Sequence, residues 1–319
     1  MPEVVSIGGK LIAWQEINER RFGPKPPGFR NSPAEIIKNN LNRNFPLIFK
    51  ATSTFPHPNL LPIAEYLPDG LHPLVPQEKR IDWQTFRPED DFDRDPVICY
   101  PYLEAPTLKS YLDINMPLGL SEEELVMYFS RLCLGCHHMH QNSLVHRDIH
   151  PGNILVRYPQ GTKVLGQDPK EQRFKAVSYY RELGPKNFPE NAIPEDLILM
   201  DYDLVGRTGE KDQVWKAGFM TVNYASPDQV QHTKPLSPTA DIFSLGILFA
   251  HLYFNEFVGK PFPDIDTSKP VTHELYRQLG NIPFFRRDVK EALEGATLFN
   301  ANYRYQDIPT FLADLQSAF

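Results

Sequence analysis

The sequence predicts an α+β protein of two unequal lobes, a small β-rich amino-terminal lobe and a larger, mainly helical carboxy-terminal lobe. The first observation behind this prediction is that short strand-like segments come first in the chain and long amphipathic helical segments come later. The second is the proline distribution, since seventeen of the 31 prolines lie in residues 1–117, none in 118–150 and fourteen in 151–319. With 41% hydrophobic and 12% aromatic residues, the composition is globular and excludes collagen-like and low-complexity classes.

The small lobe is predicted to cover residues 1–104. Its first element is a pair of short strands in residues 4–16, joined by a turn at Gly8 and Gly9. A helix start follows, because Ser32 suits the cap, Pro33 the first helical position and Glu35 the third. The remaining segments are an apolar run that fits a strand or a short helix, a long loop and a buried strand, at residues 45–55, 67–96 and 96–100.

The larger lobe is predicted to cover residues 105–319, after a hinge near Tyr100 to Pro106. A capping box at residues 121–124 begins a helix that runs to about Gln141, with apolar side chains at spacings of three and four. A hydrophilic insertion at 157–196 interrupts the lobe and includes a predicted helix at 171–183. The other elements are two buried strands, a loop, a buried helix and a terminal amphipathic helix, at residues 154–156, 197–200, 201–239, 240–254 and 308–319.

Net charge and cysteine content exclude several classes of protein. The formal net charge of -7 argues against general binding to nucleic acid. The most apolar stretch, residues 242–258, contains polar side chains and is shorter than the roughly 20 apolar residues that span a bilayer, so no membrane partner is expected. Three cysteines argue against a disulfide framework, and the first residues lack a signal-peptide pattern. The sequence predicts a cytoplasmic protein and leaves its oligomeric state open.

One segment of the long predicted helix has the spacing of a cofactor motif. Cys133-Leu134-Gly135-Cys136-His137 matches the pattern of c-type haem attachment. Both cysteines, however, fall on the core face of a strongly periodic helix. The sequence therefore predicts that they pack in the core, and neither haem nor a zinc site with His137 and His140 is expected.

Asp148, Asn153 and Asp201 are the residues whose pattern indicates chemistry. Asp148 and Asn153 lie in a compact polar turn, and Asp201 directly follows the buried strand 197–200. Phosphoryl transfer passes through a transition state with spread negative charge, so a protein contributes mainly positioning and cations. One carboxylate must orient the attacking hydroxyl and accept its proton, while a second carboxylate and a neutral oxygen hold Mg²⁺. These three side chains offer that set.

From about Pro96 to Phe319 the sequence resembles the protein kinase family, of the eukaryotic-like serine/threonine type. His146-Arg147-Asp148, followed by Asn153, resembles the catalytic loop of that family. The segment 201–203, Asp-Tyr-Asp, stands where the family has Asp-Phe-Gly. Several features in the right order and spacing make chance a poor explanation.

The resemblance extends into the helical half of the chain. Residues 220–228, which end in Ser-Pro-Asp, resemble the end of the activation segment, and residues 241–246 resemble the start of the family's central buried helix. Arg304 matches a late arginine that pairs, in the family, with the acid that is Asp228 here.

The resemblance implies a bilobal protein-kinase-like fold that binds ATP and Mg²⁺ between its lobes and phosphorylates serine or threonine on a protein substrate. Asp148 would then orient and deprotonate the acceptor hydroxyl, and Asn153 and Asp201 would hold the metal ions, with Asp203 assisting. His150 stands where the family has a lysine near the γ-phosphate, and is a catalytic candidate for that reason.

The amino-terminal lobe diverges from the family. It has no Gly-x-Gly-x-x-Gly, so Gly8 and Gly9 are the candidate phosphate cover, and Tyr100 is the candidate hinge contact. Residues 46–50 resemble the family's lysine-bearing strand, which makes Lys50 the preferred phosphate-binding lysine and Lys38 the alternative. If residues 33–43 form the family's helix instead, Glu35 would take part and its lysine must come earlier in the chain.

Two other functions remain open at this point. His150, Asp203 and the His-Arg-Asp-Ile-His-Pro-Gly-Asn segment also resemble small-molecule kinases of the aminoglycoside and choline type, although those enzymes lack a region like 220–246. The divergent amino-terminal lobe fits a pseudokinase that acts as a binding scaffold. Transfer to small hydroxylated compounds would support the first alternative, and absence of any ATP or Mg²⁺ binding the second.

Overall fold

The computed structural model describes residues 3–7, 10–16, 33–54, 56–63, 65–67, 97–101, 103, 105–113, 117–157, 196–210, 223–231, 235–257, 262 and 286–318. The predicted helix at 171–183 lies outside these ranges, as do Gly8 and Gly9 and nearly all of the loop predicted at 67–96.

The amino-terminal part contains a four-stranded antiparallel sheet in the order β1-β2-β4-β3. Its strands are β1 (Glu3–Ile7), β2 (Lys10–Glu16), β3 (Glu65–Leu67) and β4 (Val97–Pro101). Strands β1 and β2 form the predicted hairpin, with Ile7 opposite Lys10. The predicted buried strand before Tyr100 is β4, and it lies in the middle of the sheet between β2 and β3.

Helix α1 (Pro33–Phe49) begins at the predicted place. Its core face consists of Ile37, Leu41, Phe45 and Ile48, which are fully buried at spacings of three and four. The prediction that residues 46–50, or alternatively 34–38, form a lysine-bearing strand is therefore wrong.

The helix continues through the apolar run 45–55, which by sequence fits either a strand or a short helix. Pro46 lies inside α1 with its side chain exposed, and the helix widens into a π turn at Lys50–Thr54 soon after it. The Thr52 hydroxyl donates to the backbone oxygen of Ile48 at 2.9 Å and stabilises this turn.

The carboxy-terminal part is mainly helical, as predicted. Its helices are α2 (Leu108–Leu112), α3 (Glu122–Gln141), α4 (Pro227–Gln231), α5 (Pro238–Phe257), α6 (Arg287–Ala296) and α7 (Ile308–Ser317). Ser121 and Glu124 form the predicted capping box at the start of α3. Because α5 is apolar on nearly all sides, it lies at the centre of the core, where Phe249 meets Phe129 of α3 at 4.8 Å between ring centroids.

Two short antiparallel strand pairs lie between α3 and α5 along the chain. The first joins β5 (Leu144–Val145) to β8 (Gly206–Arg207). The second joins β6 (Ile154–Arg157) to β7 (Asp196–Leu199), which are the two buried strands that the sequence predicts. These pairs bring the polar turn after β5 and the polar turn after β7 to the same edge of the helical part.

A helix that crosses a lipid bilayer must be both long and apolar. None of the helices in the described part of the chain combines these two properties.

Candidate active site

The turn that carries Asp148 is anchored by a buried carboxylate of α5. The backbone N–H groups of His146 and Arg147 donate to Oδ2 and Oδ1 of Asp241, at 2.8 Å each. Arg147 has a φ of 71°, in the left-handed region, which costs a non-glycine residue about 1–3 kcal/mol. The two charge-assisted hydrogen bonds hold the turn in this conformation.

Asp241 is fully buried and nevertheless charged. Burial alone raises the pKa of Asp241, but the hydrogen bond and charge of His140, the charge of His146 and the Arg147 N–H group lower it further than burial raises it. His140 Nε2 lies 2.8 Å from Asp241 Oδ2. Asp241 is therefore a carboxylate at neutral pH. This ionised form is the one that can accept the N–H groups of His146 and Arg147, in what we call the catalytic turn (residues 146–153).

Asn153 holds Asp148 from one side. The 3₁₀ turn Pro151–Asn153 brings its amide back toward Asp148, where Nδ2 donates to the backbone oxygen at 3.0 Å and to Oδ2 at 2.9 Å. Both amide hydrogens are used in this way, so the Oδ1 atom of Asn153 serves as a separate oxygen acceptor.

His150 holds Asp148 from the other side. Its Nδ1 atom accepts the backbone N–H of Gly152 at 3.0 Å, which places the ring proton of the neutral imidazole on Nε2. Nε2 lies 3.5 Å from Asp148 Oδ2 and points its proton toward the carboxylate. The His150 side chain thus orients Asp148.

The chemistry of Asp148 follows from these neighbours. Burial raises its pKa, but the hydrogen bond with His150, the positive charges that His150 and His146 carry when protonated, and the hydrogen bond from Asn153 give a net lowering. The side chain is 22% exposed, so a substrate can reach it. An ionised and accessible carboxylate can orient a hydroxyl group and accept its proton.

Asp201 reaches the same place from the end of β7. The backbone N–H of Met200 donates to the backbone oxygen of Asn153 at 2.9 Å, which sets the residue before Asp201 directly beside Asn153. Asp201 has a φ of 66°, a conformation that aspartate tolerates better than most residues. The structure therefore brings Asp148 and Asn153, from one turn, together with Asp201, from the end of a strand about fifty residues later.

These residues supply hard oxygen donors of the kind that Mg²⁺ prefers. Asn153 offers Oδ1, and Asp201 offers a partly exposed carboxylate. Asp203 is the third candidate ligand, and the structure buries it to 3% exposure beside α1, where its backbone oxygen accepts Asn40 Nδ2 at 3.4 Å. Its carboxylate is less accessible to a metal than that of Asp201.

The candidate nucleotide-binding residues of the amino-terminal part lie on different elements. Lys38 lies on α1, Lys50 is exposed in the π turn after it, and neither lies on the sheet. Tyr100 is on β4 with its side chain buried, and its ring centroid is 6.3 Å from that of Tyr202. Because residues 33–49 form a helix, the alternative in which the phosphate-binding lysine comes before α1 stays a prediction. The described residues before α1 include one lysine, Lys10 at the start of β2.

The arginine predicted to pair with the acid at the end of the activation segment does so. Arg304 Nη2 lies 2.8 Å from Asp228 Oδ1, and the guanidinium also donates to the backbone oxygens of Thr239 and Leu298. This buried ion pair connects α4 to the start of α5 and to the loop before α7.

A tyrosine–histidine pair beside the catalytic turn was not expected from the sequence. Burial lowers the pKa of His251 to about 4 and raises that of Tyr224, so both groups are neutral at pH 7. The tyrosine hydroxyl and His251 Nδ1 share a hydrogen bond of 2.5 Å. The Tyr224 ring lies 6.4 Å from the ring of His150, between centroids. Neither this pair nor the role of Asp241 as an anchor shows in a local pattern, because the partners are far apart in the chain.

Comparisons with known proteins agree with this geometry. The sequence model of the family described as "Protein kinase domain" matches residues 83–294. Serine/threonine-protein kinase PrkC of Bacillus subtilis (strain 168) is 30% identical over 226 residues, 70% of this chain and 29% of that protein. Serine/threonine-protein kinase nekl-2 of Caenorhabditis elegans is 25% identical over 226 residues, 68% of this chain and 52% of that protein. The chain thus spans about half or less of the length of these relatives.

Among solved structures, the kinase domain of Mycobacterium tuberculosis PknI aligns over 100% of this chain and 92% of that chain. The TM-score is 0.57 at 15% sequence identity, a likeness that shows a common fold.

Proposed function

The chain belongs to the protein kinase family, and on that premise we propose that it is an ATP- and Mg²⁺-dependent phosphotransferase that acts on serine or threonine hydroxyls of proteins. The observation that carries the proposal is the ionised, partly exposed Asp148, held by Asn153 on one side and His150 on the other.

In the proposed reaction each residue of the cluster has a distinct task. Asp148 Oδ2 orients the acceptor hydroxyl and takes its proton as the phosphate is transferred. Asn153 keeps the carboxylate in place through Nδ2 and offers Oδ1 to a metal ion, which Asp201 would share. Bound Mg²⁺ supplies positive charge that offsets the negative charge of the phosphates. His150 positions Asp148 by hydrogen bonding.

The proposed substrate class is supported by the relatives and by the residues around the turn. Both relatives named above are called serine/threonine-protein kinases, and the matched family is that of protein kinases. The ion pair of Asp228 with Arg304 lies in the region that separates protein kinases from small-molecule kinases of the aminoglycoside and choline type. We place the phosphate-binding lysine before α1, with Lys10 as the candidate.

The proposal is tested with purified protein, γ-labelled ATP and Mg²⁺. A generic protein substrate and a panel of small hydroxylated compounds are offered in parallel reactions. We expect label on serine and threonine of the protein substrate, and loss of transfer when EDTA removes Mg²⁺. Transfer to the small compounds alone would identify a small-molecule kinase instead, and absence of both transfer and ATP-dependent thermal stabilisation would identify a scaffold.

A further inference from the structure

A cysteine, a histidine and an aspartate meet in the core beneath the catalytic turn, outside the cluster that performs the proposed reaction. Cys136 and His140 lie one turn apart on α3, and Asp241 faces them from the first turn of α5. Cys136 Sγ is 3.4 Å from His140 Nε2 and 3.7 Å from Asp241 Oδ2, and the two latter atoms are 2.8 Å apart.

The spacing of these three atoms suits a small divalent metal. A triangle with these sides has a centre about 2 Å from each corner, which is close to the Zn–N, Zn–O and Zn–S bond lengths of roughly 2.0–2.3 Å. Cysteine sulfur, histidine nitrogen and carboxylate oxygen are also the donor types that bind zinc in proteins. A shift of a few tenths of an ångström between His140 and Asp241 would complete the fit.

Charge balance favours a doubly charged ion in this place. Cys136 and Asp241 are fully buried, and the His140 side chain is 6% exposed. A thiolate and a carboxylate together carry two negative charges, which a divalent cation neutralises, so that the occupied site adds no net charge to the core.

His140 can offer Nε2 to a metal without a conflict at its other nitrogen. Among the described residues, its buried Nδ1 atom has no hydrogen-bond partner. No neighbouring donor therefore prevents Nδ1 from carrying the ring proton when Nε2 binds a metal. Asp241 Oδ2 can keep its hydrogen bond from the His146 N–H group, because a carboxylate oxygen has a second lone pair.

We propose that Cys136 Sγ, His140 Nε2 and Asp241 Oδ2 bind one zinc ion between α3 and α5. On binding, the Cys136 thiol loses its proton to solvent, the His140 ring proton moves from Nε2 to Nδ1, and the metal replaces the His140–Asp241 hydrogen bond. A water molecule completes the coordination. The bound ion links two helices directly below the catalytic turn.

The experiment uses the full chain, stripped of metal with a chelator and titrated with Co²⁺, a spectroscopic substitute for zinc. We expect one equivalent of Co²⁺ to produce a thiolate-to-cobalt charge-transfer band, which one equivalent of Zn²⁺ removes. Cys136→Ser should abolish the band, and His140→Gln should weaken Co²⁺ binding by more than about tenfold. The matched control is Cys133→Ser, a fully buried cysteine of the same helix, which should retain the band.

Circular dichroism shows whether each variant folds. If a variant does not fold, the wild-type protein still tests the proposal. Absence of a charge-transfer band in folded wild-type protein would overturn it. So would a band that survives in folded Cys136→Ser or disappears in folded Cys133→Ser. Zinc should also raise the Tm of the wild type, and an equal rise in Cys136→Ser would contradict the site.

Discussion

A variant of Asn153 tests how much the positioning of Asp148 contributes to the rate, because it leaves the proton-accepting carboxylate of Asp148 itself unchanged. Asn153→Ala removes both hydrogen bonds to Asp148 and the Oδ1 atom that we propose as a metal ligand. A misplaced base can cost about 10²-fold in rate, so we expect kcat to fall by about that factor or more, with a higher Mg²⁺ requirement. Steady-state kinetics at several Mg²⁺ concentrations measure both. The exposed Asn302→Ala is the control, and a kcat of Asn153→Ala close to that of the control would contradict the assigned role.

Single residues also show where sequence reasoning succeeds and where it fails. The proximity of Asp148, Asn153 and Asp201 could be predicted, because they belong to two short segments whose residue types and order are typical of phosphoryl-transfer chemistry. Asp241 could be matched to a helix start, but its hydrogen bonds to a turn 94 and 95 residues earlier could not be derived from local pattern. Cys136 and Asp241 are 105 residues apart, and this separation concealed their cluster in the same way.

At the scale of elements, the Arg304–Asp228 pair links α4 to the helices around it. The Arg304 side chain has no exposure and donates to Asp228 and to backbone oxygens on both sides. Breaking one partner of a buried ion pair costs about 3–5 kcal/mol, so we expect Arg304→Met to lower the free energy of unfolding by that amount. Urea unfolding measures it.

Two further variants sharpen this prediction. Arg304→Lys should recover only part of the loss, because an ammonium group cannot reproduce the planar fork of donors. Arg287→Met removes an arginine whose side chain is 90% exposed, and should change stability by no more than about 0.5 kcal/mol. If Arg304→Met and Arg287→Met lowered the free energy of unfolding equally, the prediction that the buried ion pair contributes more to stability than an exposed arginine would be wrong.

Helix α1 explains why the amino-terminal elements were harder to predict. The run from Phe45 to Phe49 is apolar and contains Pro46, so by itself it fits a buried strand. Its true periodicity appears only when it is joined to Ile37 and Leu41, which extend the same buried face by two turns. The strand and its lysine were predicted from resemblance over a few residues, whereas packing over seventeen residues decides the helix.

At the scale of the whole molecule, histidines that folding buries wholly or in part make stability depend on pH. Burial lowers the pKa of His57, His137, His146 and His251, the last to about 4. Below pH 6.5 the unfolded chain protonates these groups while the folded chain resists, so the unfolded state binds more protons. The free energy of unfolding is therefore highest above pH 6.5 and falls as the pH drops from there toward 4.

His251 supplies the part of this effect that can be calculated. A folded pKa of about 4 against an unfolded value of 6.5 implies a loss of about 2 kcal/mol between pH 7 and pH 5. We expect His251→Gln, measured by urea unfolding at both pH values, to show a pH dependence smaller by about that amount. An unchanged difference between the two pH values would show that His251 is not a source of the pH dependence.

The two-lobed architecture is also a property of the whole molecule, and its order along the chain could be predicted because strand and helix periods differ. Pairings such as β2 with β4 could not be predicted, since β2 ends at Glu16 and β4 begins at Val97. The family match covers residues 83–294 and so begins just before β4. The divergent part before it is held to the catalytic part by Asn40 of α1, which donates to the backbone oxygen of Val205 at 2.8 Å.

The central claim is that Asp148 is the proton acceptor in phosphoryl transfer from ATP. Its most direct test compares the wild type with Asp148→Asn in a single-turnover transfer from γ-labelled ATP to a protein substrate, with nucleotide binding measured on the same samples. Asparagine fits the same space and cannot accept the proton, so we predict unchanged nucleotide binding and a transfer rate lower by about 10²–10⁴-fold. The exposed Asp288→Asn is the control. A transfer rate in Asp148→Asn equal to that of Asp288→Asn would contradict the claim.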